Sequence, residues 1–438
     1  MSASLRGPLY FAIMASLLAI VGFYQSWNLA LAIVNLCLIS SIMALGVNMQ
    51  WGYAGLFNVG TMGFAAIGGV AAVLIAMPPV TEAVSAGGGG VILSLLCVIA
   101  TAGAIYLIRK KMPPSARRSW LTAGVVLVGY YAVRSFFDPA VDRIEAIDPA
   151  LTGYLGGLGL PIMVSWIVGG IMAAGVAWII GKIALGLRSD YLAIATLGIS
   201  EIIVFIAKNE DWMTRGVKNV TGLPRPVPFE VDLQADPAFV EWANWFGVSV
   251  IEFSSIVVKL AYAGLFLTVL LILLWLSERA LNSPWGRMMR AIRDNENAAE
   301  AMGKDVTGRH LQIFILGSAV CGIAGAMLTT LDGQFTPSSY NPLRFTFLIW
   351  VMVIIGGSGN NWGSVLGAFV IWFVWIQAEP VGLWLMDVIT SGLEEGNALR
   401  EHLLESAAHM RMVMMGLILL LALRFSPRGL LPEKVRTS

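Results

Sequence analysis

Glu201 lies inside an apolar run, residues 191–207, six positions before its end at Ala207. On a helix that is about 9 Å from the nearer boundary. A carboxylate at such depth is expensive and generally faces a cavity or a partner. Two chemistries fit it: a proton relay in an ion-coupled carrier, or a structural hydrogen bond to a neighbouring helix. A second polar set sits earlier. Residues 52–69 hold Gly52, Gly55, Gly60, Gly63, Gly68 and Gly69 around Asn58 and Thr61, with Asn48 just ahead. Glycines spaced in this way flatten a helix face so that another backbone can approach. The asparagines differ, because an amide in hydrocarbon needs a partner. Asn48, Asn58 and Thr61 are therefore candidates, with Glu201, for a path along which water or a zwitterionic or amide-bearing solute supplies that partner.

Other chemistries are excluded. No G-x-x-x-x-G-K-[ST] occurs, so the chain has no phosphate-cradling loop and cannot bind ATP by that route. Cys37, Cys97 and Cys321 fall in apolar runs without metal-ligand spacing or a disulfide framework. Neither a metal nor a cofactor is expected. Gly356-Gly357-Ser358-Gly359 resembles the G-x-S-G of rhomboid-type intramembrane proteases, which also need a histidine near the serine. His402 and His409 belong to the opposite membrane edge from Ser358, and His310 opens a different span. Gly356, Gly357 and Gly359 are instead read as a hinge between helices.

The elements that must hold these residues are membrane helices. The 438-residue chain is 57% hydrophobic and 13% charged, with mean hydropathy +0.77. A soluble protein carries about 25% charged residues. Apolar runs predict spans near 8–24, 29–49, 54–76, 91–108, 119–135, 158–181, 191–207, 254–277, 311–331, 345–357, 363–377 and 408–423. The expected fold is all-α and polytopic, with about 10–12 transmembrane helices. The run at 8–24 follows Arg6 and precedes another run at once, which fits an uncleaved first span rather than a signal peptide. The runs at 345–357 and 363–377 are short and are joined by a glycine-rich turn, so a re-entrant pair is expected there.

Charge orients the layout. Segments 1–7, 109–118, 182–190, 278–310 and 424–438 hold 18 of the 28 basic residues and 7 of the 27 acids. Basic loops stay cytoplasmic, so both termini are expected inside. The acids cluster in 138–148, 210–252 and 379–405. The longest outer connection, 208–253, carries turn residues and tryptophans that suit either a seat for a soluble partner or an interfacial cap. Membrane lipid is the surrounding partner, and no nucleic-acid contact is expected.

The most charged stretch is 285–315. In it Asn297-Ala298-Ala299 is followed by Gly303 and, after nine more residues, by Ile313-Phe314-Ile315. Small residues allow close approach and Gly303 permits a turn with φ > 0. A basic loop lying on anionic lipid is the other reading. The spacing is similar to the E-A-A-x-x-x-G-x9-I-x-L-P loop by which importer permeases dock onto ATPases. It departs at Asn297, Ile315 and Leu316, where Glu, Leu and Pro are usual. The wording R-A-I-R-D-N-E-N-A-A-E-A-M-G resembles the branched-chain amino acid permease family, LivM type. So do 45–60, 187–198, 221–226, 353–367 and 427–433. Residues 85–150 stand outside the resemblance and read as an extra helical hairpin.

The resemblance implies a single transmembrane permease domain, 1–438, in a bacterial inner membrane, with no enzyme activity of its own. Its docking residues would be Arg290, Arg293, Asn297, Ala298, Ala299, Glu300 and Gly303, in a cytoplasmic loop at 278–310. Implied partners are two cytoplasmic ATPase subunits, a periplasmic solute-binding protein and a second permease of the LivH type. Gly52 to Gly69 and Gly356 to Gly367 are the faces expected to meet that second permease. An ATP-driven family needs no proton relay, which favours a structural role for Glu201. The implied solute is a branched-chain or related amino acid, with urea or short amides as the alternative. An ion-coupled carrier using Glu201 is the competing class.

Overall fold

The computed structural model describes residues 3–148, 152–393 and 397–433. The acids Glu394 and Glu395 and the bases Lys434 and Arg436 lie outside the described residues. The chain opens with α1 (Ala3–Tyr24) and α2 (Trp27–Tyr53), whose last residues, Asn48–Tyr53, wind as a π-helix. A non-helical stretch at 55–60 leads into α3 (Thr61–Ala76). Then come α4 (Thr81–Lys111), α5 (Ala116–Glu145), α6 (Ile162–Ala184) and α7 (Ser189–Asn209). The long α8 (Val250–Asn282) precedes two short helices, α9 (Pro284–Asp294) and α10 (Glu296–Ala301). The chain closes with α11 (Val306–Asp332), α12 (Pro342–Gly356), α13 (Asn361–Thr390), α14 (Ala398–Ser406) and α15 (Met410–Phe425). The ends are set by ordinary capping chemistry. Ser26, Asn341 and Asn360 each accept a backbone N–H of the helix that follows, and Pro342 takes the first-turn position where no donor is needed.

The protein is an all-α, polytopic membrane protein. Among the described residues nine helices are long and apolar enough to cross a bilayer, or ten if α14 and α15, bent by 57°, make one broken span. Two expected spans differ from the sequence reading. The run at 363–377 is part of α13, 30 residues long, so it is no half of a re-entrant pair. The short helices are α12 and α3, of 15 and 16 residues, about 22–24 Å against roughly 30 Å of hydrocarbon. The run at 54–76 is helical only from Thr61, because Gly55 adopts φ +71° and breaks the chain direction.

The core is backbone packed on backbone. In lipid, helices gain little from hydrophobic exclusion and rely on close contact. A Cβ on Gly68 would strike the Gly322 carbonyl, and one on Gly325 would strike that of Ala65, so α3 and α11 touch without side chains between them. Every residue of α3 except Leu74 is buried. This overturns the expectation that the glycine faces await a second subunit. Gly60 and Gly63 lie against Thr196 and Ser200 of α7, while Gly356 meets Gly363 and Gly367 meets Met352. The chain fills both faces itself.

The hairpin α4–α5 is peripheral. Each of its apolar windows is 6% buried, and its helices pack chiefly on each other, as where Gly129 admits Thr101. At the acid-rich end, β1 (Val220–Thr221) pairs antiparallel with β2 (Gln334–Phe335), clipping the long 208–253 connection to the end of α11. Trp242 and Trp245 stand exposed on that connection.

Candidate functional site

The charged stretch at 283–304, where docking was expected, folds as a knob on the basic end of the bundle. Ser283 caps α9, which buries Gly286, Met289 and Ile292 and leaves Arg287 and Asp294 exposed. Asn295 caps α10 through the Ala298 N–H at 3.0 Å. The knob ends in a tight turn in which Gly303 adopts φ +74°, with nothing within 4 Å of the place a Cβ would occupy. Asn297, Ala298, Glu300 and Gly303 are exposed. Ala299 is not: it is 8% exposed and packs with Ile292 and Val306, so it anchors the knob instead of meeting a partner. Met302, 79% exposed at the tip, was missed by the sequence reading.

Arg290 and Arg293 are also used differently from expectation. Both turn inward to Glu433, at 3.8 and 3.0 Å, and Arg293 donates to the Gly52 carbonyl as well. They hold the knob to the bundle rather than offering free charge. Gly359, at φ +80°, lies beside Glu433 and Arg293, and Gly55 beside Arg293. The C-terminal residues complete this clasp. Leu430 and Leu431 donate to the carbonyls of Ile355 and Gly356, and Asn360 Nδ2 donates to the Pro432 carbonyl at 3.2 Å. Gly357 takes φ +118° under the Leu431 carbonyl, a conformation and a clearance that suit only glycine. The three hinge glycines thus form a fixed turn that receives the chain end.

Beneath the clasp lies a polar hub. Asn48 Nδ2 donates to Asn361 Oδ1 at 3.1 Å, and Asn48 Oδ1 accepts the Gly359 N–H at 2.8 Å. Tyr53 donates to the same Asn361 oxygen, and Asn361 Nδ2 donates to Glu278 Oε1 at 2.9 Å. Gly52 lets α2 approach, since a Cβ there would collide with the Gly359 backbone. Tyr53, Glu278, Asn361 and Glu433 were not singled out beforehand. Tyr53, Glu278 and Asn361 sit at the edges of apolar runs and Glu433 in the polar segment after α15, where their types look unremarkable until the fold brings the four together.

A second network serves Asn58. Its Nδ2 donates to Gln50 Oε1 at 2.8 Å, its Oδ1 accepts the Gly60 N–H at 2.8 Å, and its carbonyl accepts Trp350 Nε1 at 3.1 Å. Gln50 in turn donates to the Phe314 carbonyl and to Ser318 Oγ. Asn48, Asn58 and Thr61 are 0%, 2% and 0% exposed, so none of them lines an open path. The two amides brace two irregular turns, Asn48 by accepting the Gly359 N–H and Asn58 by accepting the Gly60 N–H.

Glu201 is the exception. It lies on the exposed side of α7, while Thr196 and Ser200 point inward to Gly60 and Gly63. Among the described residues it makes no hydrogen bond and no ion pair, so the expected structural bond to a neighbouring helix is absent.

Comparison with known proteins fits this architecture. A family model described as branched-chain amino acid transport system / permease component matches residues 29–423. The high-affinity branched-chain amino acid transport permease LivM of Escherichia coli is 27% identical over 71% of this chain. That match spans 64% of the relative, less than two thirds of its length. A probable LivM of Methanocaldococcus jannaschii is 26% identical over 67% of this chain and 73% of its own. The xylose transport permease XylH of Escherichia coli is 25% identical over 55% and 49%. No solved structure matches.

Proposed function

We propose that this chain, which belongs to the branched-chain amino acid transport permease family, carries branched-chain or related amino acids inward across a bacterial inner membrane. It is a multi-pass permease component of a transport system, not an enzyme. In this reading its basic end faces the cytoplasm, and separate ATPase subunits receive the knob at 295–304. A LivH-type permease completes the membrane unit, and a periplasmic protein delivers the solute. The amino-acid assignment leans on the LivM relatives, whose similarity covers more of the chain than that of the xylose permease.

The observation that carries the reading is the knob itself. A coupling element must be rigid toward its own bundle and free toward a partner. Here Ala299, Met289 and Ile292 are buried and Arg290 and Arg293 are clasped, while Asn297, Glu300, Met302 and Gly303 stand clear. In proteoliposomes holding the full complex, Gly303→Val is expected to abolish ATP-driven leucine uptake, because a β-branched residue strains at φ +74°. The variant should still insert into the membrane. Wild-type uptake by Gly303→Val, or uptake by the wild type that needs an ion gradient instead of ATP, would remove the docking assignment.

A further inference from the structure

The buried line of α7 runs through Leu192, Thr196, Ser200 and Val204. The opposite line, Ile194, Gly198, Glu201 and Phe205, is exposed, and nothing lies within 4 Å of a Cβ placed on Gly198. These positions share one helix face by their three- and four-residue spacing. A bare carboxylate on a lipid-covered stripe at this depth is unfavourable, and such groups face cavities or partners. A second observation points the same way. The irregular turn at 55–60 is tied to α7 by the Val59 N–H on Thr196 Oγ1 at 3.0 Å, a third of the way along the helix. Phe57 of that turn is exposed. Non-helical backbone at membrane depth is tolerated where protein or water covers it, not where lipid does.

We infer that the Ile194–Phe205 stripe of α7 is the wall of the solute path, and that Glu201 receives the ammonium group of the passing amino acid. The opposite wall is supplied by the second permease subunit. This rests on the permease reading above and assigns to α7 the role that the glycine faces do not fill. Thr196 and Ser200 fix the stripe's direction by packing on α3, and Gly198 leaves room beside the carboxylate.

The test uses the full complex in proteoliposomes, with Cys97→Ser as background because Cys37 and Cys321 are buried. Gly198→Cys should react with a membrane-impermeant cationic thiol reagent, and leucine with ATP should slow the reaction. Gly264→Cys, on the exposed side of α8 and equally open, should stay inert in lipid. Glu201→Gln should raise the KM for leucine about tenfold or more, with Glu201→Asp recovering part of it. If the wild type carries leucine and Glu201→Gln leaves KM unchanged, the ammonium assignment is overturned while the permease reading stands. Should Gly198→Cys be as inert as Gly264→Cys, the stripe faces lipid and the path lies elsewhere. A complex that moves no amino acid yet labels at Gly198 would sink the substrate reading and support the path wall alone.

Discussion

Two sets of polar residues sit within the membrane layer of this protein, and the fold treats them in opposite ways. Asn48, Asn58 and Asn361 are enclosed, and their amides are answered by named partners inside the chain. Glu201 is left open, with no hydrogen-bond or ion-pair partner among the described residues. In the sequence the two sets look alike, each a polar residue inside or beside an apolar run. The difference lies in what each set serves. The amide oxygens of Asn48 and Asn58 accept the backbone N–H groups of Gly359 and Gly60, which lie outside helices, and Asn361 joins Asn48 to Tyr53 and Glu278. Glu201 stands on an unbroken helix whose backbone needs nothing. A braced set holds the chain to itself, whereas an open one is addressed outside it.

The comparison is broken most directly at Asn361. Asn361→Leu removes the common partner of Asn48, Tyr53 and Glu278, leaving three groups unanswered. Each unsatisfied buried group costs about 1–3 kcal/mol, so the loss should show as poor yield and a clear fall in thermal unfolding temperature in detergent. Unfolding at the wild-type temperature would mean that the hub is not holding the bundle. A smaller effect, about 1–2 kcal/mol, is expected for Glu433→Gln, since the pair with Arg293 is partly exposed at 17% and 24%. A double-mutant cycle with Arg293→Met should recover a coupling energy, because the two residues share one contact. Additive losses would show that the clasp rests on the Leu430 and Leu431 backbone bonds alone.

Much of this was legible in the sequence, for identifiable reasons. Apolar runs set the helices, since a bilayer leaves few ways to satisfy a backbone. The knob was legible because small residues, Ala298 and Ala299, precede Gly303 at the turn by a fixed spacing. What could not be read was direction. Arg290 and Arg293 look like surface charge until Glu433, some 140 positions later, is seen to meet them. Gly60 and Gly63 signal a close approach, but the spacing does not say that the neighbour is α7 of the same chain. The strand pair at Val220 and Phe335 was invisible for the same reason, being two residues long on each side.

The weakest expected effect on stability is the sharpest test of the contrast. Glu201→Leu removes a charge with no hydrogen-bond or ion-pair partner among the described residues, on a helix face already carrying Ile194, Ile202 and Phe205. Leucine is also among the better helix formers, so α7 loses no propensity. If the carboxylate were a hidden brace, its removal would lower the unfolding temperature as Asn361→Leu does. If it is addressed outside the chain, the isolated subunit in detergent should unfold at or slightly above the wild-type temperature. Under the proposed path wall the assembled complex should respond differently, because there the site would meet solute and the second subunit. Unchanged stability of the isolated chain, with leucine uptake lost in the complex, is the expected pair of results. A destabilised subunit would return Glu201 to the same class as Asn48 and Asn58 and erase the distinction drawn between them.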